Sequence, residues 1–223
     1  MMINSHPRSQ PNQVTRHFLK TPWKVAAATA LLSLPLAALP AAGATVYKAD
    51  LMPLNASVGG GATGTVTLTV NGDKLTIDAS VKGLHPPGMH MIHIHGFTTG
   101  NKAATCAGPA QDKNGDGVID LSETEAGSGT TLIPFTNDPA GLKVPSDKYP
   151  VANAEGDFTY KETVSLKQLN AALKKNFSIN GVQLDKRVIY VHGVPDTPPL
   201  PTTAASLPGV PAAMTLPVAC GVI

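Results

Sequence analysis

The sequence has 223 residues, of which 42% are hydrophobic, 14% are charged and 4% are aromatic. This length is sufficient for one domain with its own hydrophobic core. The 17 lysines and arginines nearly balance the 15 aspartates and glutamates, and no basic cluster occurs beyond the N-terminal segment. With few aromatic side chains to stack on bases, this composition argues against a nucleic-acid partner.

The N-terminal segment, residues 1–44, has the three parts of an export signal. A basic stretch without acidic residues comes first, an apolar run follows over residues 25–42, and Ala42-Gly43-Ala44 matches a small-residue cleavage site. This order predicts a secretory signal peptide and a secreted or periplasmic protein. Because the apolar run approaches membrane-spanning length, an uncleaved anchor is the alternative. Pro35 and Pro40 favour cleavage, so we expect no membrane association of the mature chain.

Cleavage after Ala44 would leave residues 45–223 as a single mature domain. Four of the 17 basic residues and none of the 15 acidic ones belong to the leader, so 13 basic and 15 acidic residues remain, a net charge of −2. Both cysteines, Cys106 and Cys220, also remain. In an oxidising compartment two cysteines predict a disulfide, and two separate buried thiols are the alternative.

The first half of the mature chain alternates between apolar and polar residues, which is the pattern of half-buried strands. Residues 64–70, for example, place two valines and a leucine on one face and threonines on the other. Asn71-Gly72-Asp73 has the composition of a hairpin turn. The predicted strands of this half are Thr45–Leu51, Gly61–Val70, Lys74–Val81 and Met89–His95.

The second half begins with a long stretch, residues 96–150, in which little periodicity is found. A loop of this length in a compact domain is usually functional or tied down by internal contacts. Leucines at helical spacing predict a short helix over Ser165–Lys175, with Ser165 as its N-cap. Seven prolines from Pro195 to Pro217 exclude a central strand there. The remaining predicted strands are Asp157–Val164, Arg187–His192 and Val218–Ile223.

Many short strands, hairpin turns and two long connections predict an all-β fold, a Greek-key sandwich or barrel with long loops and one short helix. The sequence contains no internal repeat and gives no sign of a second domain. The residues that carry chemistry therefore have to be sought on the strands and in the two long connections.

The histidines of the mature chain are concentrated at two predicted strands. His90, His93 and His95 lie within six residues, and His192 ends the apolar run from Val188. Because side chains alternate along a strand, His93 and His95 share one face and His90 points to the other. Two imidazoles on one face of a strand form half of a metal site. A pair of ordinary polar-face residues is the alternative, although the surrounding segment is strongly apolar.

Four segments of the sequence resemble the copper/zinc superoxide dismutases, in the order in which that family has them. The segment His90–His95 matches the family's H-G-F-H-x-H pattern at all three histidines, and the strand that ends in His192 resembles a later strand ending in a copper ligand. Ala219-Cys220-Gly221-Val222-Ile223 is similar to the family's C-terminal A-C-G-V-I. Cys106, followed by Ala-Gly-Pro, lies where the disulfide partner of that last cysteine is expected. The similarity extends over residues 45–223.

The resemblance implies a superoxide dismutase fold and a copper site. By position, His93, His95 and His192 correspond to three copper ligands, and His90 corresponds to a structural histidine. Asp196 corresponds to a carboxylate that orients the ligand histidines without binding the metal itself. The activity that the resemblance implies is the dismutation of superoxide, the small-molecule substrate, to oxygen and hydrogen peroxide.

The sequence also departs from the family pattern at positions that matter for zinc binding and for turnover. Ala110 replaces the histidine that bridges copper and zinc, and no histidine occurs between His95 and His192, so zinc is not expected. Pro217 replaces the active-site arginine. Whether the chain is an enzyme therefore stays open, and the alternative is a non-catalytic, calcium-stabilised module that binds or handles copper. Met91 could add a thioether ligand favouring Cu(I), or it could simply fill the core.

A second metal signal lies inside the long loop, over residues 112–123. Oxygen-bearing side chains stand at positions 1, 3, 5, 9 and 12 of this segment, with glycine at position 6, as in EF-hand calcium loops. An acidic surface loop is the alternative, and Gly108-Pro109 excludes the entering helix of a complete EF-hand. We expect calcium to order residues 96–150 and to raise the melting temperature. Copper affinity should change far less, because the copper ligands lie on strands outside this loop. The predicted calcium ligands are Asp112, Asn114, Asp116, the carbonyl group of Val118, Asp120 and Glu123.

Overall fold

Short strands are the most frequent regular elements of the computed structural model, which describes residues 43–86, 88–144 and 147–223. Apart from Gly43 and Ala44, the predicted signal peptide lies outside the described residues. The strands of the described part are β1 (Thr45–Pro53), β2 (Thr63–Asn71), β3 (Lys74–Lys82), β4 (Gly88–Met89), β5 (Ile92–Gly96), β6 (Thr130–Pro134), β7 (Val151–Ala152), β8 (Phe158–Ser165), β9 (Val188–His192) and β10 (Pro217–Val222). The helices are α1 (Ala56–Gly59), α2 (Leu121–Ser128), α3 (Leu166–Phe177) and α4 (Ala212–Thr215).

The strands of the described residues pair in antiparallel fashion throughout, and eight of them follow one another in the order β6-β5-β9-β10-β1-β2-β3-β8. β4 and β7 form a separate two-stranded ribbon. β1 joins the two halves of the large sheet, because Thr45–Leu51 pair with β2 whereas Met52 and Pro53 pair with β10. Since β10 returns to lie beside β1, the connections are those of a Greek key. The predicted all-β Greek-key fold is confirmed.

Period-two patterning decides which side chains enter the core. Leu68 of β2 lies opposite Ile77 of β3, and both are completely buried. Burying one aliphatic side chain of this size contributes about 1.5–3 kcal/mol to folding. In β5 the same alternation sends the two isoleucines into the main core and leaves His93 and His95 on the opposite face of the sheet.

A smaller apolar cluster covers that opposite face. It includes Ile119 from the long loop and Tyr190 from β9. Tyr190 lies directly opposite His93 in the β5–β9 pair, and residues paired in this way project from the same face. The long loop is therefore folded over the side of the sheet that carries the histidines.

A disulfide fixes the long loop to the sheet. Cys106 and Cys220 are bonded, with their Cα atoms 5.8 Å apart, and they close a segment with a sequence separation of 114 residues. Cys220 lies in β10, so the bond joins the start of the loop to a central strand. The predicted disulfide is confirmed.

The predicted helix after β8 is also present. α3 extends over Leu166–Phe177, and Ser165 Oγ accepts a hydrogen bond from the backbone amide of Gln168 at 3.2 Å, as an N-cap does. Leu169 and Leu173 are completely buried, so the apolar face of the helix packs on the sheet. No helix in the described part of the chain is long and apolar enough to cross a membrane.

The long loop over residues 96–150 contains more regular structure than its lack of periodicity indicated. α2 and β6 both lie within it. The buried residues of α2 are Thr124 and Ser128, so this helix has no apolar stripe to recognise. Its start does carry a sequence signal, because Asp120 and Glu123 form a capping box. β6 is only five residues long, which is too short for an alternating pattern to stand out.

Candidate metal centre

Three histidines from two adjacent strands meet on the covered face of the sheet. His93 and His95 lie in β5, and His192 ends β9, which pairs with β5. Ring centroids are 5.0 Å apart for His93 and His192, and 5.6 Å apart for His93 and His95. One nitrogen atom from each of the three rings lies within 4.8 Å of the other two. Among the described residues, no other group of three or more His, Cys, Asp or Glu side chains has this spacing.

Two β-bulges lie beside the cluster. The β5–β6 register shifts just before His95, so that Leu132 is an extra residue in β6. The β9–β10 register shifts next to His192, so that Val218 is an extra residue in β10. A bulge bends its strand and changes the direction of neighbouring side chains, and bulges are frequent next to functional sites. Simple strand alternation does not predict either of them.

Hydrogen bonds orient two of the rings. His192 Nδ1 lies 2.7 Å from the carbonyl oxygen of Thr215, and His95 Nε2 lies 3.2 Å from Thr131 Oγ1. Both ring nitrogens of His93 and Nε2 of His192 are buried and have no hydrogen-bond partner among the described residues. Buried polar atoms are rarely left unpaired. These nitrogen atoms therefore mark a position for a ligand.

Burial keeps the three imidazoles neutral. His93, His95 and His192 are 3%, 2% and 3% exposed. Loss of hydration, followed by the proximity of the other two rings, lowers the pKa of His93 well below its usual range. Burial likewise lowers the pKa of His95 to about 3 and the pKa of His192 to about 4, against smaller opposing effects of backbone hydrogen bonds. A neutral imidazole has a free lone pair, which is the form that binds metals.

His90, the predicted structural histidine, lies outside the cluster. Its Nδ1 is 3.1 Å from the carbonyl oxygen of His192, and its Nε2 is 3.1 Å from the carbonyl oxygen of His85. The ring thus joins the backbone at His85 to the backbone at His192, which belongs to the cluster. At the adjoining Gly193 the backbone has a φ of +114°, and a Cβ atom there would lie 3.0 Å from His90 Nδ1. Both the backbone conformation and the close contact require glycine at this position.

Asp196 is not brought to the histidines. It is exposed. The hydrogen bonds of His85, His90 and His192 go to backbone carbonyl groups instead, and that of His95 goes to Thr131. At His192 the orienting contact that was predicted for Asp196 is made by the carbonyl group of Thr215. A backbone carbonyl leaves no mark in the sequence, so no motif could have identified Thr215.

Two tyrosines pack edge-on against the cluster. The ring of Tyr149 is 5.3 Å from that of His93, and the ring of Tyr190 is 5.1 Å from that of His95. Burial raises the pKa of both phenols, so both remain protonated at neutral pH. Tyr149 O–H donates to the carbonyl group of Val144, and Tyr190 accepts from the amide of Ala107. The tyrosines shield the imidazoles from water, and sequence reasoning missed both of them.

A cavity of about 190 Å³ adjoins His93 and His192. Its described lining is largely apolar and includes no charged side chain. One wall comes from the proline-rich tract and α4, where Leu207 and Met214 are 44% and 42% exposed. The cavity thus connects the histidine cluster to the surface. The methionines in its wall are Met89, Met91 and Met214.

Ala110 and Pro217, where the sequence departs from the dismutase pattern, lie in different parts of the fold. Ala110 is exposed in a 3-10 turn at Pro109–Gln111. Pro217 is buried at the start of β10, directly opposite His192. Neither side chain offers a metal ligand or a positive charge, so the cluster is limited to three imidazoles among the described residues.

The predicted calcium residues form one organised loop, residues 112–123, which leads into α2. Asp112 accepts hydrogen bonds from the backbone amides of residues 115–117 at 2.8–3.2 Å. Asp120 caps α2, and Glu123 Oε2 accepts in return from the amide of Asp120 at 3.1 Å. In the described chain no three acidic side chains of this loop bring an oxygen atom within 4.8 Å of one another. The carboxylates thus bond to backbone amides rather than converge as the histidines do.

The other two predicted positions also lie inside the loop. Asn114 Oδ1 accepts from the amide of Asp116 at 2.9 Å, and its Nδ2 donates to Asp116 Oδ2 at 2.9 Å. Val118 has a buried side chain and donates its amide hydrogen to Asp116 Oδ1. Asp116 therefore lies at the middle of the loop's hydrogen-bond network.

Two hydrogen bonds join this loop to the proline-rich tract. Thr203 Oγ1 donates to Asp116 Oδ2 at 2.6 Å, and the amide of Ala205 donates to Asp120 Oδ2 at 2.7 Å. The bond from Thr203 lowers the pKa of the Asp116 carboxyl. The carboxylates of Asp116 and Asp120, at positions 5 and 9 of the predicted calcium loop, thus hold the proline-rich tract, which forms one wall of the cavity.

The expectation that the long loop is separate from the copper ligands has to be corrected. β6 lies within that loop, and its Thr131 approaches His95 Nε2. Leu121, at the start of α2, lines the cavity. The loop was considered separate because the copper ligands lie on strands outside it, and the contacts of β6 and α2 with the site were not predicted. The predicted calcium loop is therefore connected to the histidine cluster through α2 and β6.

No protein-family model matches this chain, and no curated protein has a matching sequence. Among solved structures, the chain is similar to the Cu/Zn superoxide dismutase from Brucella abortus, with a TM-score of 0.40 and 19% sequence identity. The match covers 80% of this chain and 99% of that one.

Proposed function

We propose that the mature chain is an exported copper-binding protein of superoxide dismutase-like fold, in which His93, His95 and His192 hold one copper ion. One observation carries the proposal: three neutral, buried imidazoles have nitrogen atoms within 4.8 Å of one another, and nitrogens of His93 and His192 have no other partner. Imidazole is a good ligand for copper and also for zinc. The choice of copper follows the resemblance of the sequence and is tested below.

The surroundings of the histidines support a binding role. Because the Thr215 carbonyl can only accept, a neutral His192 carries its proton on Nδ1 and has its lone pair on Nε2. Such a bond to the remote nitrogen fixes the tautomer and the ring orientation in metal sites. The disulfide supports export, since disulfides persist in oxidising compartments.

Copper at this site would supply a one-electron Cu(II)/Cu(I) couple. Superoxide dismutation is the activity that the sequence resemblance implies, and copper handling without turnover is the second candidate. The cavity favours copper handling, because no charged side chain among its described lining residues attracts the superoxide anion. Pro217, in place of an arginine, adds no positive charge either.

Metal analysis of the exported protein tests the proposal. Offered copper and zinc at equal concentrations, the mature chain is expected to retain about one copper per chain and no stoichiometric zinc, since it supplies one set of three imidazoles. Elemental analysis after dialysis measures both metals. Retention of zinc in place of copper, or of neither metal, would contradict the proposal.

A superoxide assay on the same copper-loaded sample decides between the two candidate activities. We expect no dismutation when a chelator is present that suppresses the activity of free copper. Dismutation that persists in the chelator, while the chain retains its copper, would assign dismutase activity to the chain. The metal-free protein serves as the control for non-specific scavenging.

We also propose that residues 112–123 bind calcium. The spacing of oxygen ligands supports this, as do the left-handed backbone at Gly117, with a φ of +87°, and the amide contacts of Asp112. Calcium would draw the carboxylates of Asp112, Asp116 and Glu123 together in place of some of their present hydrogen bonds. Exported surroundings supply calcium at millimolar concentration, where sites of modest affinity are filled.

Millimolar calcium is expected to raise the melting temperature of the mature protein relative to a chelator. A ligand that binds only the folded state stabilises it by about 2.7 kcal/mol at a hundredfold excess over its Kd. For a domain of this size that corresponds to about 5–10 °C. Differential scanning calorimetry measures the shift, and equal melting temperatures in chelator and in saturating calcium would disprove the site.

Two glutamates of α2 provide a matched pair of variants. Glu123→Gln removes a bidentate ligand and is expected to abolish most of the calcium-dependent shift. Glu125→Gln makes the same chemical change at an exposed position on the same helix and should leave the shift intact. Because Glu123 also belongs to the capping box, the comparison uses the difference between calcium and chelator for each variant.

A further inference from the structure

Three thioether side chains line the cavity beside the histidine cluster. Met89 ends β4, Met91 lies two residues before His93, and Met214 lies in α4. They come from separate parts of the fold, yet all of them border the space next to His93 and His192. The described residues outside the leader contain one other methionine, Met52, which is 64% exposed in β1.

The hydroxyl groups in the cavity wall already have partners. Thr131 Oγ1 contacts His95 Nε2 at 3.2 Å. Thr215 Oγ1 lies 2.8 Å from Ser206 Oγ and 3.3 Å from the carbonyl oxygen of Ala212. The side-chain atoms of the wall left to bind a ligand are therefore imidazole nitrogens and thioether sulphurs. This donor set, without carboxylate, is suited to a soft monovalent metal such as Cu(I).

These methionines do not serve as core filling. None of the three belongs to either hydrophobic cluster of the described residues. Met214 is 42% exposed, and Met89 and Met91 are only partly buried. A methionine that fills a core gap is enclosed by apolar side chains. Here the sulphurs instead border a space that reaches solvent.

The backbone next to two of these methionines holds His192 in place. The amide of His192 donates to the carbonyl group of Met91 at 2.8 Å. The carbonyl group of Thr215, the residue after Met214, lies 2.7 Å from His192 Nδ1. The backbone segments that carry Met91 and Met214 thus lie directly beside His192.

We infer that the copper bound by His93, His95 and His192 is Cu(I), and that methionine sulphur from the cavity, supplied chiefly by Met91, completes its coordination. This inference rests on the proposed copper-binding function and specifies its cargo as the reduced ion. Met214 and Met89 offer further thioethers between the surface and the histidines. The ion enters and leaves as Cu(I), so no electron is transferred on binding.

Affinity measurements on a triple variant test the inference. Met89→Leu/Met91→Leu/Met214→Leu keeps the volume and apolar character of the side chains and removes the sulphurs. Its affinity for Cu(I), measured anaerobically by competition with bicinchoninate, is expected to fall by at least about tenfold. Its affinity for Cu(II) should stay within about twofold, because thioether is a poor ligand for that ion. A tenfold loss confined to Cu(I) lowers the Cu(II)/Cu(I) potential by about 59 mV.

NMR on methyl-labelled methionine gives a readout that does not depend on affinity. Silver(I), a redox-inert substitute for Cu(I), is expected to shift the signals of the cavity methionines and to leave that of Met52 in place. Met52→Leu identifies the control signal and should leave Cu(I) affinity unchanged. His192→Ala tests whether imidazole and thioether bind the same ion, and it should weaken the silver-induced shifts.

The outcomes separate this inference from the proposed function. If the wild-type chain binds copper while the triple variant keeps full Cu(I) affinity, the thioether site is disproved and the histidine site stands. The same conclusion follows if silver moves none of the cavity methionine signals. If the wild-type chain binds neither Cu(I) nor Cu(II), the proposed function itself is overturned.

Discussion

His95→Ala and His192→Ala are each expected to lower the copper content of the mature protein from about one ion per chain to near zero. Each substitution leaves two imidazoles, which cannot hold copper through dialysis against a weak chelator. The two effects should be similar, because Nδ1 of His95 and Nε2 of His192 are both buried without a hydrogen-bond partner among the described residues. Elemental analysis of the dialysed variants measures the loss.

His85→Ala provides the matched control. His85 is half-buried and its Nε2 lies 3.0 Å from the carbonyl oxygen of Val58, away from the cluster and the cavity. Its removal should leave the copper content unchanged. Non-reducing mass spectrometry and circular dichroism show whether each variant keeps its disulfide and its fold. Stoichiometric copper in both His95→Ala and His192→Ala would show that the ligand set is wrong.

Replacing both cysteines by alanine is expected to lower the free energy of unfolding by about 4–5 kcal/mol. The disulfide closes a segment with a sequence separation of 114 residues, and a long closed loop restricts the unfolded chain most. That loss is a large part of the total stability of an ordinary domain, which is about 5–15 kcal/mol. Equilibrium unfolding in urea, with metal-free protein, measures the difference.

Reduction of the wild-type protein supplies an internal check on this value. A reductant should bring the stability of the wild-type chain down to that of Cys106→Ala/Cys220→Ala and should have no effect on the variant. If the variant unfolds at the same urea concentration as the oxidised protein, the disulfide does not stabilise the fold. A changed slope of the unfolding curve would instead indicate a change in the compactness of the unfolded state.

Much of this fold could be predicted from the sequence because strand alternation is a local property. Residues 64–70 and their partner strand show the pattern clearly, and both strands were located within a few residues of their observed ends. The helix after Ser165 was predictable for the same reason, since its cap and its leucines are close in sequence. The pairing of His93 with His95 on one face also follows from alternation alone.

The features that were not predicted depend on contacts between distant residues. Leu132 and Val218 form β-bulges because of how their strands pair with β5 and β9. The residues next to them in the sequence give no sign of these bulges. The partner of His192 is a backbone carbonyl 23 residues away, a kind of group that every residue possesses. The family resemblance implied that role for Asp196, but Asp196 is exposed. The cavity likewise depends on where the proline-rich tract packs.

The position of β10 has a consequence for the order in which the molecule can be assembled. β10 lies between β9 and β1, although it follows every other strand along the described chain. A chain that emerges from its N-terminus, whether at the ribosome or from a secretion pore, therefore has its central strand missing until residues 217–222 appear. Until that moment Cys106 has no partner, and the two halves of the sheet cannot join.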